Sequence, residues 1–193
     1  MSSINKRTKR MLADSLQELM ISKSLSKIRI GDICKTCGVN RQTFYYHFQD
    51  KYELVGWIFA QDSIASMIQS PSDSILDKLE HGIGLIWQQR FFYRKALEEP
   101  SQNSLRQSMQ NYNIRLCTEV MKAYLHPQEL SRDQELSIRY HSQACIGLTI
   151  EWLNGLLELS VGEFAQLQAR HMPHWLIEAF QGISSSKVPL SLC

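Results

Sequence analysis

The chain has 193 residues, 44% of them apolar and 21% charged, with a formal net charge of +2. That is enough for one well-cored domain or two smaller ones, and it excludes a disordered, collagen-like or purely coiled-coil protein. The stretch nearest to a membrane span, 144–157, falls short of the roughly 20 apolar residues required and carries Glu151 and Asn154.

A polar and basic start with no apolar run behind it is unlike a secretion signal, and five cysteines, an odd number, read as reduced thiols. The expected location is cytoplasmic. Charge is unevenly spread. Residues 1–52 hold ten Lys and Arg against four acids, a net of +6, and the remainder holds eleven against fifteen, a net of −4. A basic first quarter on an acidic remainder fits one module that meets nucleic acid joined to another with a different task.

Taken in order, the segments read as helical throughout, because Gly and Pro are sparse and no segment alternates apolar and polar residues between turn signals. A first helix is expected over 6–23, with Leu12, Leu16, Leu19 and Met20 on one face. After a connector at 22–27, a short helix over 30–36 is stopped by Gly38, and a second short helix over 41–48 has Asn40 at its N-cap. Asp50 and Glu53 have capping-box spacing, so a longer helix starts at Lys51 and ends before Pro71. Proline then punctuates helical blocks at 74–98, 102–125 and 133–159, and Pro173 splits a last block at 161–182. The tail from 184 is expected to fray.

Residues 28–55, IRIGDICKTCGVNRQTFYYHFQDKYELV, carry the chemistry. Two short helices around a tight Gly turn form a helix-turn-helix, whose second helix fits the DNA major groove, about 12 Å wide. Ile30, Ile33 and Cys34 face inward from the first helix, Val39 plugs the turn, and Phe44 and Phe48 bury the inner face of the second. Arg41, Gln42, Thr43, Tyr45, Tyr46 and His47 are left outward. Arg and Gln are suited to base edges, and Thr, Tyr, His and Lys to phosphates.

This segment resembles the DNA-binding domain of the TetR family of bacterial transcriptional regulators, through Asp32-Ile33-Cys34, Cys37-Gly38-Val39-Asn40, Thr43-Phe44-Tyr45-Tyr46-His47-Phe48 and Lys51. The resemblance implies Thr43, Tyr45, Tyr46, His47 and Lys51 at or near phosphates and Arg41 and Gln42 nearest the bases. Two positions depart from the family: Arg29 stands where Thr is common, and Gly31 where a basic or polar residue is common. Arg29 still has the chemistry to pin a phosphate. The stretch from Phe44 to Ile58 further resembles the branch containing regulators of dihydroxyacetone kinase operons, which answer to a protein coactivator.

The same resemblance implies an all-α protein: a three-helix DNA-binding domain, 1–52, followed by a helical-bundle domain, 53–193, that binds an effector and dimerises. The almost continuously apolar run 144–157, with Gly147 and Gly155 for close approach, is expected to be buried on all sides as core and subunit interface. Trp57, His81, Trp87, Tyr112, His141 and Trp152 are candidate effector-binding residues, with Phe91, Phe92 and Tyr93 as further aromatic candidates.

The expected partners are operator double-stranded DNA, a second copy of the chain, and a small molecule or protein coregulator, with no membrane. Repression is the commoner mode in the family. No paired carboxylates, nucleophile elbow, Gly-rich phosphate loop or HExxH motif occurs, so no catalysis, cofactor or metal is expected. Two alternatives stand beside this: a helical adaptor that binds protein, and a thiol redox sensor through the Cys34/Cys37 pair. A zinc site would need a second ligand pair, and a thioredoxin-type site a βαβ context.

Overall fold

The computed structural model describes residues 3–69, 74–98 and 104–182. Among them are ten α-helices and no strand: α1 Ser3–Ser22, α2 Ile30–Cys37, α3 Arg41–His47, α4 Lys51–Gln69, α5 Ile75–Gln88, α6 Arg90–Leu97, α7 Leu105–Leu125, α8 Arg132–Leu153, α9 Val161–Arg170 and α10 His174–Gly182, with one 3-10 turn at Leu25–Lys27. The expected tail, Cys193, Pro71 and Pro100 lie outside the described residues.

Local chemistry sets most of the boundaries. Asn40 Oδ1 accepts the backbone N–H of Thr43 at 2.8 Å and starts α3. Asp50 Oδ1 accepts from the N–H groups of Tyr52 and Glu53, each at 2.8 Å, and the Glu53 carboxylate reaches back to the N–H of Gln49 at 2.6 Å. Reciprocal capping boxes also open α8, with Ser131 and Gln134, and α9, with Ser160 and Glu163. Those hydrogen bonds from Ser160 hold the Glu163 carboxyl below its ordinary pKa. Pro173 separates α9 from α10, and its carbonyl accepts the N–H groups of Leu176 and Ile177 at 2.9 and 3.1 Å.

Two boundaries differ from the sequence expectation. The block 74–98 is two helices, broken at Gln89, although no Pro or Gly marks the place. Side-chain contacts hold the break: Gln89 Nε2 donates to Asp62 Oδ2 at 2.8 Å, and the Arg90 guanidinium lies 5.0 Å over the Trp87 ring while donating to the Trp87 carbonyl. The block 133–159 stops at Leu153. Gly155, at φ +77°, turns the chain so that Gly155 N–H bonds to Trp152 O and Leu156 N–H to Glu151 O, each at 3.0 Å, a Schellman closure. The run 144–157 is therefore not one helix buried all round: Ala144, Glu151 and Leu156 are exposed. Gly155 serves to end α8.

Among the described residues the backbone packs as two compact units, one drawn from 1–59 and 91–108 and the other from 60–90 and 109–193. In the first unit Leu12, Leu16 and Met20 of α1, Ile33 of α2, Phe44 of α3, and Leu54, Val55 and Ile58 of α4 are all buried, with Leu25, Ile28 and Phe48 between the helices. Leu19, Ile30 and Val39 are half-buried. The segment after residue 90 belongs here because Tyr93 is fully buried with its ring edge-on to Phe59 at 6.3 Å, and Lys95 Nζ donates to the carbonyls of Met20 and Ile21 at the end of α1, at 2.6 and 2.9 Å. A cation at a helix C-terminus is favoured by the helix dipole.

The second unit has two apolar centres. Trp152 stacks on Trp87 at 4.5 Å and on Phe164 at 4.7 Å, and its indole N–H donates to the Leu159 carbonyl at 2.7 Å. Cys117, Val120 and Met121 of α7, Ile138 of α8, and Leu176, Ala179 and Phe180 of α10 form the other.

Candidate nucleic-acid interface

In α3, a seven-residue helix, Phe44 has no exposed surface and Phe48, just past its end, is 2% exposed. Tyr45 and Tyr46 are 57% and 73% exposed on the opposite side. Two such large aromatic side chains left in water beside a complete core are suited to a partner surface. Arg41 and Gln42 are also exposed, and Thr43 and His47 half-buried. The helix thus presents hydrogen-bonding groups on the side that the core does not use.

Each outward residue has a defined setting. The Thr43 hydroxyl donates to Asn40 Oδ1 at 3.0 Å and completes the cap. Tyr46 meets His47 edge-on at 4.9 Å. Burial, and then the charge of Lys9, lower the His47 pKa, so this imidazole is neutral near pH 7 and offers hydrogen bonds rather than charge. Lys9 itself lies over the rings of Phe48 and Trp57, at 5.4 and 6.0 Å, which ties α1 to the back of the motif. Arg29 is exposed at the start of α2, its backbone N–H bonded to Asp32 Oδ2 at 2.9 Å.

Lys51 is set differently from its neighbours. Its ammonium donates to the carbonyls of Leu25, Ser26 and Ile28 at 2.7, 3.1 and 2.9 Å. All three donors are engaged, and they hold the connector between α1 and α2 against the start of α4. No sequence signal marks this role, because the partners are backbone groups more than 20 residues away.

Cys34 is buried and Cys37 half-buried, and their S–H groups point to the Asn40 and Cys34 carbonyls, each at 3.7 Å. Burial and the neighbouring Cys37 raise the Cys34 pKa. A reactive redox thiol needs the reverse, a lowered pKa and access.

The six effector candidates have different settings within their units. Trp57 packs on Phe48 at 5.9 Å in the first unit. In the second unit Trp87 and Trp152 are stacked together, and Tyr112 is buried. His81 lines a shallow cleft of about 360 Å³ with Asp77, Glu80 and Gln88. His141 lines a groove of about 510 Å³ between α8 and α9, with Leu136, Tyr140, Ala144, Cys145, Leu148, Leu167 and Gln168 among its walls. Burial lowers the His141 pKa, and Cys145 Sγ sits 3.4 Å from its Nε2. Of the further candidates, Tyr93 is buried, Phe92 half-buried and Phe91 66% exposed. The groove is bordered by Leu136 and Tyr140, 56% and 80% exposed. The spacing of Leu136, Tyr140, Ala144 and Leu148, four residues apart, is the signal that would have found this face.

Comparison with known proteins places these features in a family. A model described as "transcriptional regulator C-terminal region" matches residues 73–172, and one described as "bacterial regulatory proteins, tetR family" matches residues 14–56. A curated relative, the HTH-type dhaKLM operon transcriptional activator DhaS of Lactococcus lactis subsp. lactis (strain IL1403), is 39% identical over 66 residues, 34% of this chain. That match spans only 35% of the relative's length.

The fold is similar to a solved dihydroxyacetone kinase operon activator DhaS, with a TM-score of 0.58 and 22% identity over 92% of this chain and 98% of that one. It is also similar to a TetR transcriptional regulator from Rhodococcus sp. RHA1, with a TM-score of 0.57 and 17% identity over 89% and 100% of the two chains. With one family model covering the recognition helices and a second covering more than half of the chain, this protein belongs to the TetR family of bacterial transcriptional regulators.

Proposed function

We propose that the chain is a homodimeric regulator that binds operator DNA through α3 and is controlled by an effector or partner protein held by the second unit. The observation that carries this is α3 itself: Asn40 caps it, Phe44 and Phe48 bury one side, and Arg41, Gln42, Tyr45 and Tyr46 are exposed on the other. Arg41 and Gln42 then read base edges, while Arg29, Thr43, Tyr45, Tyr46 and His47 hold phosphates. Lys51 acts from within, since its ammonium already has three carbonyl partners.

A second copy is supported by the exposed row Leu136, Tyr140 and Ala144 beside Leu148 on α8. Apolar side chains repeated at one-turn spacing on an open groove match the self-complementary patch of a two-fold dimer. Such a dimer presents two α3 helices to successive major grooves about 34 Å apart. An effector that binds one spacing of these helices better than another shifts the population between DNA-competent and incompetent states. The 39%-identical relative is named an activator, which makes activation the outcome to test first against the repression common in the family.

The test is fluorescence anisotropy on DNA upstream of the chain's own gene and upstream of a dihydroxyacetone kinase operon, at two salt concentrations, for wild type, Arg41→Ala and Tyr46→Ala. Salt-sensitive binding that both substitutions weaken supports the proposal. Binding to neither DNA nor genomic fragments, with or without candidate effectors, overturns it in favour of a protein-binding adaptor. Transcription in vitro from the bound promoter reads the sign of regulation.

A further inference from the structure

Arg41 opens α3, and its side chain lies back across the start of α2. A Cβ built on Gly31 would stand 2.7 Å from Arg41 Nη2 and 3.3 Å from Nε, so the guanidinium occupies the space that any side chain at position 31 would take. A second observation places the charge in the same region: Arg41 is among the groups that act electrostatically on the Cys34 thiol, one turn further along α2.

Nothing else in the described residues fixes the guanidinium there. It makes no hydrogen bond or ion pair among them, so all five of its N–H donors remain open. The N-terminal end of α2 carries the positive pole of that helix, and the acid in its first turn, Asp32, accepts from the Arg29 backbone N–H at 2.9 Å and forms no ion pair with Arg41. Gly31 is at an ordinary helical position rather than at positive φ, so no backbone requirement explains a glycine inside α2. Its effect is steric: it leaves a notch into which the first residue of the neighbouring helix folds.

We propose that Gly31 is a specificity-determining residue, which touches no base itself but sets the direction from which Arg41 approaches the base edges of the operator. This rests on the assignment of Arg41 as a base reader made above. Bidentate recognition of guanine by a guanidinium depends on the angle of approach. A methyl group at position 31 displaces the end of a flexible side chain, which costs the fold little but re-aims the charge. The chain thus carries, at the outward position of α2, an absence that serves the recognition helix.

The experiment is a competition measurement with the full chain. A duplex selected by wild type from a random library is compared with all its single base-pair variants, for wild type, Gly31→Ala, Arg41→Ala and the double variant, alongside thermal unfolding. Gly31→Ala is expected to unfold at or above the wild-type temperature, because Ala favours a helix interior over Gly. It is also expected to lose about tenfold discrimination at the same base pairs at which Arg41→Ala loses it. In the Arg41→Ala background it changes nothing further.

A wild-type base preference in Gly31→Ala overturns the proposal. So does a loss spread evenly over all base pairs, or one that persists without Arg41. If Arg41→Ala leaves base discrimination intact, the assignment of Arg41 fails, and the proposal falls with it by a separately visible result.

Discussion

Tyr45 and Tyr46 leave the α3 backbone beside a fully buried Phe44, and nothing in the fold requires them to be exposed. Tyr46→Ala is therefore expected to leave the melting temperature nearly unchanged while weakening operator binding about tenfold, since a phenol on a phosphate contributes a charge-assisted hydrogen bond. Anisotropy titration beside a melting curve separates the two effects.

Lys51 behaves in the opposite way. Lys51→Met keeps the aliphatic stem but strips three carbonyls of their shared donor, and is expected to destabilise the first unit by about 1–3 kcal/mol in denaturant unfolding. An unchanged midpoint accompanied by a reduced salt slope of DNA binding would instead assign Lys51 to a phosphate.

His141 gives a pH dependence. Burial lowers its pKa in the folded chain below the ordinary value near 6.5, so at intermediate pH the unfolded chain binds the proton and the folded chain does not. Its contribution to stability is full above that ordinary value and is lost as pH falls through it towards the folded-state pKa. Melting temperature is expected to drop on acidification from pH 7.5 to 5, and His141→Gln to flatten the slope. A slope unchanged by the substitution would place its origin elsewhere.

At the scale of elements, the helix ends divide into those set by local chemistry and those set by neighbours. Asn40 caps α3 with two hydrogen bonds, to the Thr43 N–H and hydroxyl. Asn40→Ala is expected to cost about 1 kcal/mol of stability in denaturant unfolding and to weaken DNA binding as α3 frays. Gly38 and Gly155 end α2 and α8 in the left-handed region, at φ +72° and +77°, which side chains rarely adopt. The Asn40 and Gly38 ends were legible because a cap is a matter of a few adjacent residues, whereas α8 ends at Leu153 and not at 159, although Gly155 reads in sequence as a site of close helix approach. The break at Gln89 was not legible: its stabilising partners are Asp62, 27 residues away, and the ring of Trp87. Nor was the return of 91–108 to the first unit, which depends on Tyr93 meeting Phe59 and Lys95 meeting the end of α1.

At the scale of the molecule, the charge division between a basic first quarter and an acidic remainder is a property of composition, and its consequence is a salt-dependent affinity. If a dimer neutralises about six phosphates, binding is expected to fall about a thousandfold between about 50 and 200 mM salt. A flat salt response would remove DNA as the partner. Replacing Tyr140 with Arg on the exposed row of α8 is expected to convert a dimer to a monomer in sedimentation and to abolish operator binding, since one α3 reaches only one half-site. A Tyr140→Arg chain that sediments as wild type would move the interface to another face.

Residue order alone determined the helical class, the helix-turn-helix and the outward set on α3, because each follows from periodicity, capping and turn chemistry over spans of a few residues. It also carried the family, through fixed offsets from Asp32 to Lys51. Tertiary structure decided what depends on meetings between distant segments. It engaged all three donors of Lys51 with carbonyls, laid Arg41 over Gly31, and set the six candidate effector residues in stacks, core and two clefts within their units. The physical reason is the same in each case: a side chain's type limits what it can bind, but only the packed neighbours determine which of its bonding groups are already taken.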